Sequence, residues 1–215
     1  SVISPSTKSI IADFVASLPG AEHLVYDAVS YSGILDANEK TFGKRSIPAY
    51  DFGKAKVILS VGADFLGTWV SPVEFSADYS TTRKVSKEKA EMSRHIQIES
   101  MPSITGYKAD TRISVKPSEE LSSLVDILNV VTGAGAAKNA KVAKAAEELK
   151  LAGAGNALVV CGVNSADAQV IVNAINNALG SYGSTITWDR PYNTKQGSDK
   201  SIVQLAEGLN NGSVK

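Results

Sequence analysis

The 215-residue chain has a single cysteine, Cys161, and two histidines, His23 and His95. One thiol excludes an internal disulfide framework, and it excludes a cysteine-ligated iron–sulfur cluster held by this chain alone. Two histidines are too few for a His-rich metal site. No apolar run reaches the roughly 18 residues that a bilayer-spanning helix needs. The 22 basic and 22 acidic residues cancel, so no electrostatic footprint for nucleic acid or an anionic membrane is present. Neither GxGxxG nor GxxxxGK[ST] occurs, so both standard phosphate cradles are missing. A signal peptide and an initiator methionine are absent too. We expect an excised fragment, for which missing targeting signals say little about the parent.

What remains is ordinary globular material, 43% hydrophobic and 20% charged, able to bury a core. "SPSTKSIIADFVASLPG" carries cap-type residues, Pro5 and an apolar face at Ile10, Ile11, Phe14, Val15 and Leu18, and is expected to be helical up to Pro19-Gly20. "HLVYD" (23–27) is a strand candidate, and "YSGILDANEKTFG" is a helix closed by Gly43. "KVILSV" (56–61) is a continuous β-branched and apolar run, as in a strand buried on both faces. A helix is expected from Pro72 to about Arg83, then a solvated insert up to Arg94. Strands follow at "HIQIE" and "TRISV", and a helix at "PSEELSSLVDILNVV". "GAGAAKNAK" reads as a connector to a further helix, "NAKVAKAAEELKLAG". A second buried strand, "NALVVCGVN", precedes the helix "SADAQVIVNAINNALG"; "STITW" and a helix from Ser201 to about Leu209 end the chain.

This alternation predicts an α/β fold, Rossmann-like and three-layered, with a mainly parallel sheet and helices on both faces. We read one α/β unit, divisible into lobes at 1–131 and 132–215. "VILSVGAD" and "LVVCGVN" share the order strand, glycine, small residue, Asp or Asn. They are expected to bring two strand ends to one crevice at the carboxyl edge of the sheet.

Candidate chemistry gathers there. Gly62 lets backbone approach a ligand, and Asp64 and Glu99 project from strand tips where they could accept hydrogen bonds from a ribose or a guanine. The same spacing is met by a turn glycine and a capping aspartate. Cys161 lies within an apolar strand and reads as an inert core thiol. His95, opening a strand after a charged insert, is expected to pack at the surface. Trp69 and Trp188 read as core or interface residues.

One longer pattern goes further. "YDAVSYSGILDANEKTFGKRSIPAYDFGKAKVILSVGADFLGTWVSPVEFSADY", followed by "RHIQIESMPSITGYKADTRISVKPSEEL", resembles the molybdopterin oxidoreductase superfamily, the group of dimethyl sulfoxide reductase and formate dehydrogenase. It looks closest to the molybdopterin-oxidoreductase-like part of the large iron–sulfur subunit of bacterial alternative complex III. That resemblance implies a formate dehydrogenase/dimethyl sulfoxide reductase-type domain in a quinol-oxidising respiratory complex on the periplasmic side of the inner membrane. It implies partners in the iron–sulfur part of the parent chain and in membrane subunits, without membrane insertion of this domain.

Carried over residue by residue, the resemblance places a metal ligand at Ser30, a position that a helix cap would explain equally well. It places cofactor-contacting positions at Gly62, Asp64, Glu99, Thr105 and Asp110. Where the family has Asn-Pro, this chain has Asp64-Phe65; where it has Asp-Pro-Arg, the arginine is missing at Met101; and the glycine of Pro-Gly-Thr-Asp is Ser118. The pocket has gained negative charge and lost a cation, which disfavours a pyrophosphate. The expectation is therefore a scaffold with no cofactor. The alternatives are an active enzyme holding molybdopterin guanine dinucleotide and molybdenum, with Glu99 and Asp110 on the guanine, or an unrelated nucleotide-binding module.

Overall fold

In the computed structural model, which describes residues 4–214, the β-branched run of "KVILSV" forms β2 (Val57–Val61), and all of its residues are buried. A short strand, β1 (Ile47–Tyr50), precedes it, and β3 (Arg94–Glu99), β4 (Thr111–Ser114) and β5 (Ala157–Cys161) follow. The four strands β4-β3-β2-β5 make one parallel sheet in that spatial order. β2 and β5 pair without a break, from Val57 opposite Ala157 to Val61 opposite Cys161, so strands from both halves of the chain share one sheet. A continuous apolar strand is possible only because both faces are covered.

One face is covered by α5 (Glu120–Thr132), α6 (Ala140–Leu151) and α7 (Ala166–Ala178). They contribute Leu124, Ile127, Val142, Leu149, Val172 and Ile175 to a core with Val57, Leu59, Val61, Ile96 and Ile98. The opposite face meets α2 (Ser32–Phe42) and α3 (Pro72–Arg83). There Ile34, Leu35, Phe75 and Tyr79 pack with Ile58, Leu158 and Val160. Aromatic rings fill this side: Phe52 stacks on Phe65 at 4.3 Å, and Phe75 lies 4.8 Å from Phe52. The expected three-layer α/β arrangement, with helices on both faces of a parallel sheet, is what the residues form.

The sheet ends at β5 for a visible reason. Asn176 Oδ1 accepts from Val159 N at 3.0 Å, and Asn176 Nδ2 donates to Val159 O at 2.8 Å. Gln169 donates to Cys161 O, and Ser181 and Thr185 both donate to Ala157 O. Side chains thus occupy the hydrogen-bonding positions a further strand would take, which protects the edge.

Several local expectations are met. α1 (Pro5–Ala16) starts at Ser4, whose side chain accepts from Thr7 N; α2 ends at Gly43 with φ 67°. α8 (Asp199–Asn211) closes the described chain. Three need correction. "HLVYD" is not a strand: Leu24 and Tyr26 are exposed, and the segment pairs with no strand among the described residues, although Val25 O accepts from Ser198 N. "STITW" extends into β6 (Ile186–Tyr192), which pairs antiparallel with β1 in a separate two-stranded sheet. His95 is fully buried rather than at the surface, because Phe65 and Tyr79 close over it, with ring centroids 5.2 and 5.5 Å away.

Candidate functional site

The chain leaves β2 toward β3 on one side and reaches β5 on the other, so the gap beyond the carboxyl ends of β2 and β5 is the topological switch point of the sheet. Two glycines make its floor. A Cβ on Gly162 would lie 2.2 Å from Gly62 O, so only glycine lets the two strand ends come this close. Gly62 itself has φ 64°. Beyond them opens a crevice of about 540 Å³, walled by Asp64, Glu99 and Glu120 and by the apolar Met101, Ile104 and Val163. Among the described residues no lysine, arginine or histidine lines it.

Each carboxylate is held by the loop it faces. Asp64 Oδ1 accepts from Thr105 N at 3.0 Å and from Thr105 Oγ1 at 2.7 Å, and Thr105 Oγ1 accepts in turn from Leu66 N. Thr105 is the second residue of the short α4 (Ile104–Lys108), capped by Ser103, so Asp64 ties the loop after β2 to the segment after β3. Glu99, buried at the tip of β3, accepts from Arg112 Nε at 2.5 Å, from Ser103 N and Oγ at 3.3 and 2.6 Å, and from Gln97 Nε2 at 3.2 Å. Glu120, at the start of α5, accepts from Ser100 N at 3.3 Å through Oε1; its Oε2 has no hydrogen-bond partner among the described residues and stands over Gly62.

Two glycines admit the acids. A Cβ on Gly67 would sit 2.1 Å from Asp64 Oδ2, and one on Gly106 would sit 2.0 Å from Glu99 Oε1. Each acid lies near its glycine in the chain, Asp64 three residues before Gly67 and Glu99 seven before Gly106, but the close approach follows from how the loop folds back. Glu120 was equally hidden: in sequence it is one of several acids at a helix start, and only the close pass of that helix over Gly62 brings it to the crevice.

The structure therefore brings Gly62, Asp64, Glu99 and Thr105 together and leaves two candidates elsewhere. Asp110 lies at the opposite, amino-terminal end of β4, where its N–H donates to His95 O. Its carboxylate is held bidentately by Arg83 at 2.6 and 2.7 Å and accepts from His95 N. Burial works to raise the Asp110 pKa, but the Arg83 bond and the His95 amide outweigh it and hold this carboxyl below its usual range. Ser30 Oγ accepts from Ser32 N at 3.0 Å in the turn into α2, so it does the work of a cap two residues ahead of the first helical N–H. Among the described residues no group of three or more His, Cys, Asp or Glu side chains could hold a metal ion.

The loop from Asp64 to Ser71 is latched from the far side. Tyr31 Oη accepts from Val70 N at 2.9 Å, and Val70 carries φ 52°, costly for a β-branched residue. Cys161 takes no part in the crevice. It is 1% exposed, and burial pushes its thiol up to about 12, as the sequence led us to expect of a core residue.

Chemically, this is a solvent-open cleft with acceptors and no cation. Three backbone donors beside these strand ends are occupied by the chain's own acids: Thr105 N by Asp64, Ser103 N by Glu99 and Ser100 N by Glu120.

Compared with known proteins, the chain matches no family model and no curated protein. A similar solved structure is the X-ray crystal structure of the formyltransferase/hydrolase complex (FhcABCD) from Methylorubrum extorquens in complex with methylofuran. It is 15% identical, with a TM-score of 0.49, over 75% of this chain and 44% of that one. The chain thus spans less than half the length of that structure's chain. These findings overturn the family expectation. No family model or curated protein supports a molybdopterin oxidoreductase or a subunit of alternative complex III, and the similar structure named above bears a different title. The respiratory electron-transfer role is withdrawn with the family: spaced short motifs such as "FG" and "GAD" describe an order of strands, glycines and helices, and a fold does not fix a function. The periplasmic location was implied by the same resemblance; among the described residues no helix is long and apolar enough to cross a membrane.

Proposed function

We propose that this chain is a binding domain, and that the crevice at the ends of β2, β3 and β5 takes a small ligand presenting a positive charge or several hydrogen-bond donors, such as a primary amine. The observation that carries this reading is Glu120. Among the described residues its Oε2 is without a hydrogen-bond partner, over the glycine floor and in one cleft with Asp64, and none of those residues brings a cation to line that cleft. Met101, Ile104 and Val163 supply an apolar wall for the ligand's carbon skeleton.

The same geometry disfavours a dinucleotide. A phosphate charge brought to about 6 Å from one of these carboxylates meets a repulsion of about 3 kcal/mol at an effective dielectric near 20, and three nearby backbone donors are already engaged. We propose that no diphosphate cofactor is held here. Binding rather than catalysis fits a cleft in which no cysteine, histidine or lysine is available as nucleophile or base.

Titration calorimetry with agmatine, and with guanosine diphosphate as the contrasting probe, tests the reading. Saturable heat is expected for the amine, lost in Glu120→Gln, with none for the diphosphate. Stoichiometric binding of guanosine diphosphate without any response to the amine overturns it.

A further inference from the structure

A row of polar side chains runs along β3 and ends at the crevice. His95, Gln97 and Glu99 are spaced two apart and so project from one side of the strand, and all three are buried. The two ends of this row are well made. Tyr79 Oη lies 3.1 Å from His95 Nδ1, and Gln97 Nε2 donates to Glu99 Oε2 at 3.2 Å. The middle is anomalous: His95 Nε2 and Gln97 Oε1 have no hydrogen-bond partner among the described residues. Buried polar atoms are rarely left so.

The chemistry of each group fixes a direction. An ionised carboxylate only accepts, so Gln97 must turn its N–H toward Glu99 and its oxygen away from it, along the strand toward His95. That oxygen needs a donor. A neutral imidazole can supply one only if its proton is on Nε2, which leaves Nδ1 as an acceptor for the Tyr79 hydroxyl. The Gln97 side chain does act on His95 in the sense that favours its proton.

We propose that Tyr79, His95, Gln97 and Glu99 form one directed hydrogen-bond chain, with His95 as the Nε2–H tautomer, that positions the Glu99 carboxylate at the crevice wall. Tyr79 donates to His95, His95 to Gln97 and Gln97 to Glu99. Glu99 then accepts from Gln97 and Ser103 Oγ on Oε2, and from Arg112 and Ser103 N on Oε1. With both oxygens filled, Glu99 is a positioning residue that anchors the 99–103 loop, while Glu120 keeps an open oxygen. The charges acting on His95 are Arg83 of α3, Asp110 ahead of β4 and Glu99 of β3 itself. Arg83 and Asp110 are paired with each other, so the surroundings favour the neutral ring that the chain requires. This assignment stands whether or not the crevice binds an amine.

The test is the protonation site of the His95 ring, read by long-range ¹H–¹⁵N correlation on uniformly labelled protein at pH 7. The expected spectrum has the proton on Nε2; a proton on Nδ1 overturns the proposal without any variant being made. A second arm uses Gln97→Leu. With its acceptor gone, His95 is expected to move its proton to Nδ1, the Tyr79 hydroxyl turning to Lys108 O, 3.3 Å away. The Glu99 carboxyl ¹³C resonance is expected to move, since one donor to its Oε2 has been lost. A variant that leaves both signals where they were refutes the chain.

Discussion

His95 should make the stability of this protein depend on pH in a way that a single substitution removes. Burial is the largest cause that lowers its imidazole from 6.5 to about 4; the Gln97 amide opposes it, and Arg83 adds to it. The unfolded chain therefore takes up a proton at His95 below about pH 6.5, whereas the folded chain does so only near pH 4. Between these values the unfolded state binds more protons, so stability is full above about 6.5 and falls as the pH drops toward 4. The displacement corresponds to about 3 kcal/mol in all, of which about 2 kcal/mol falls between pH 7 and 5. Urea unfolding of the wild type and of His95→Gln over that range isolates the term, because every carboxylate and His23 are common to both. The wild type should lose about 2 kcal/mol more than the variant on going from pH 7 to 5. Parallel curves, or a steeper loss in the variant, would refute the reasoning and imply that His95 is already protonated, or already hydrated, in the folded state.

Further outcomes follow from packing. Gly162→Ala puts a Cβ 2.2 Å from Gly62 O and 2.9 Å from Ala63 Cα; both are backbone, so the strand ends must separate. A loss of about 1–3 kcal/mol or more is expected in urea unfolding, and an unchanged midpoint would show that the approach is not enforced. Cys161, buried and with its thiol raised to about 12, should resist Ellman's reagent at pH 8 until denaturant is added; rapid labelling of the folded protein would place the thiol at the surface.

The layers of the fold were legible because they obey short-range rules. β2 and β5 are unbroken apolar runs, and Gly43 and the Pro72 start of α3 mark helix ends by their own backbone preferences. β1 was not legible: its four residues include Pro48 and carry no alternation, and it exists because β6 pairs with it. His95 was misjudged because the charged insert before it suggested solvent, whereas the rings that bury it come from Phe65 and Tyr79. At the site, the paired glycines of β2 and β5 were visible as a repeated pattern. The roles of Gly67 and Gly106 were not, since each depends on how its loop folds back on a nearby acid, and that of Glu120 depends on its passing over Gly62, distant in the chain. The family resemblance failed for a related reason. Order and spacing of strands and glycines describe a fold, while function depends on which side chains meet, and here acids of the chain itself close three of the nearby donors.

The central claim is that the cleft at the sheet's switch point receives positive charge. Amide chemical-shift mapping locates a ligand directly. On titration with agmatine, saturable shifts are expected at Gly62, Gly162 and Glu120, and none of them should move with guanosine diphosphate. Shifts at these residues with the diphosphate alone, or amine-induced shifts confined to the opposite edge of the sheet around Lys141 and Lys144, would contradict it.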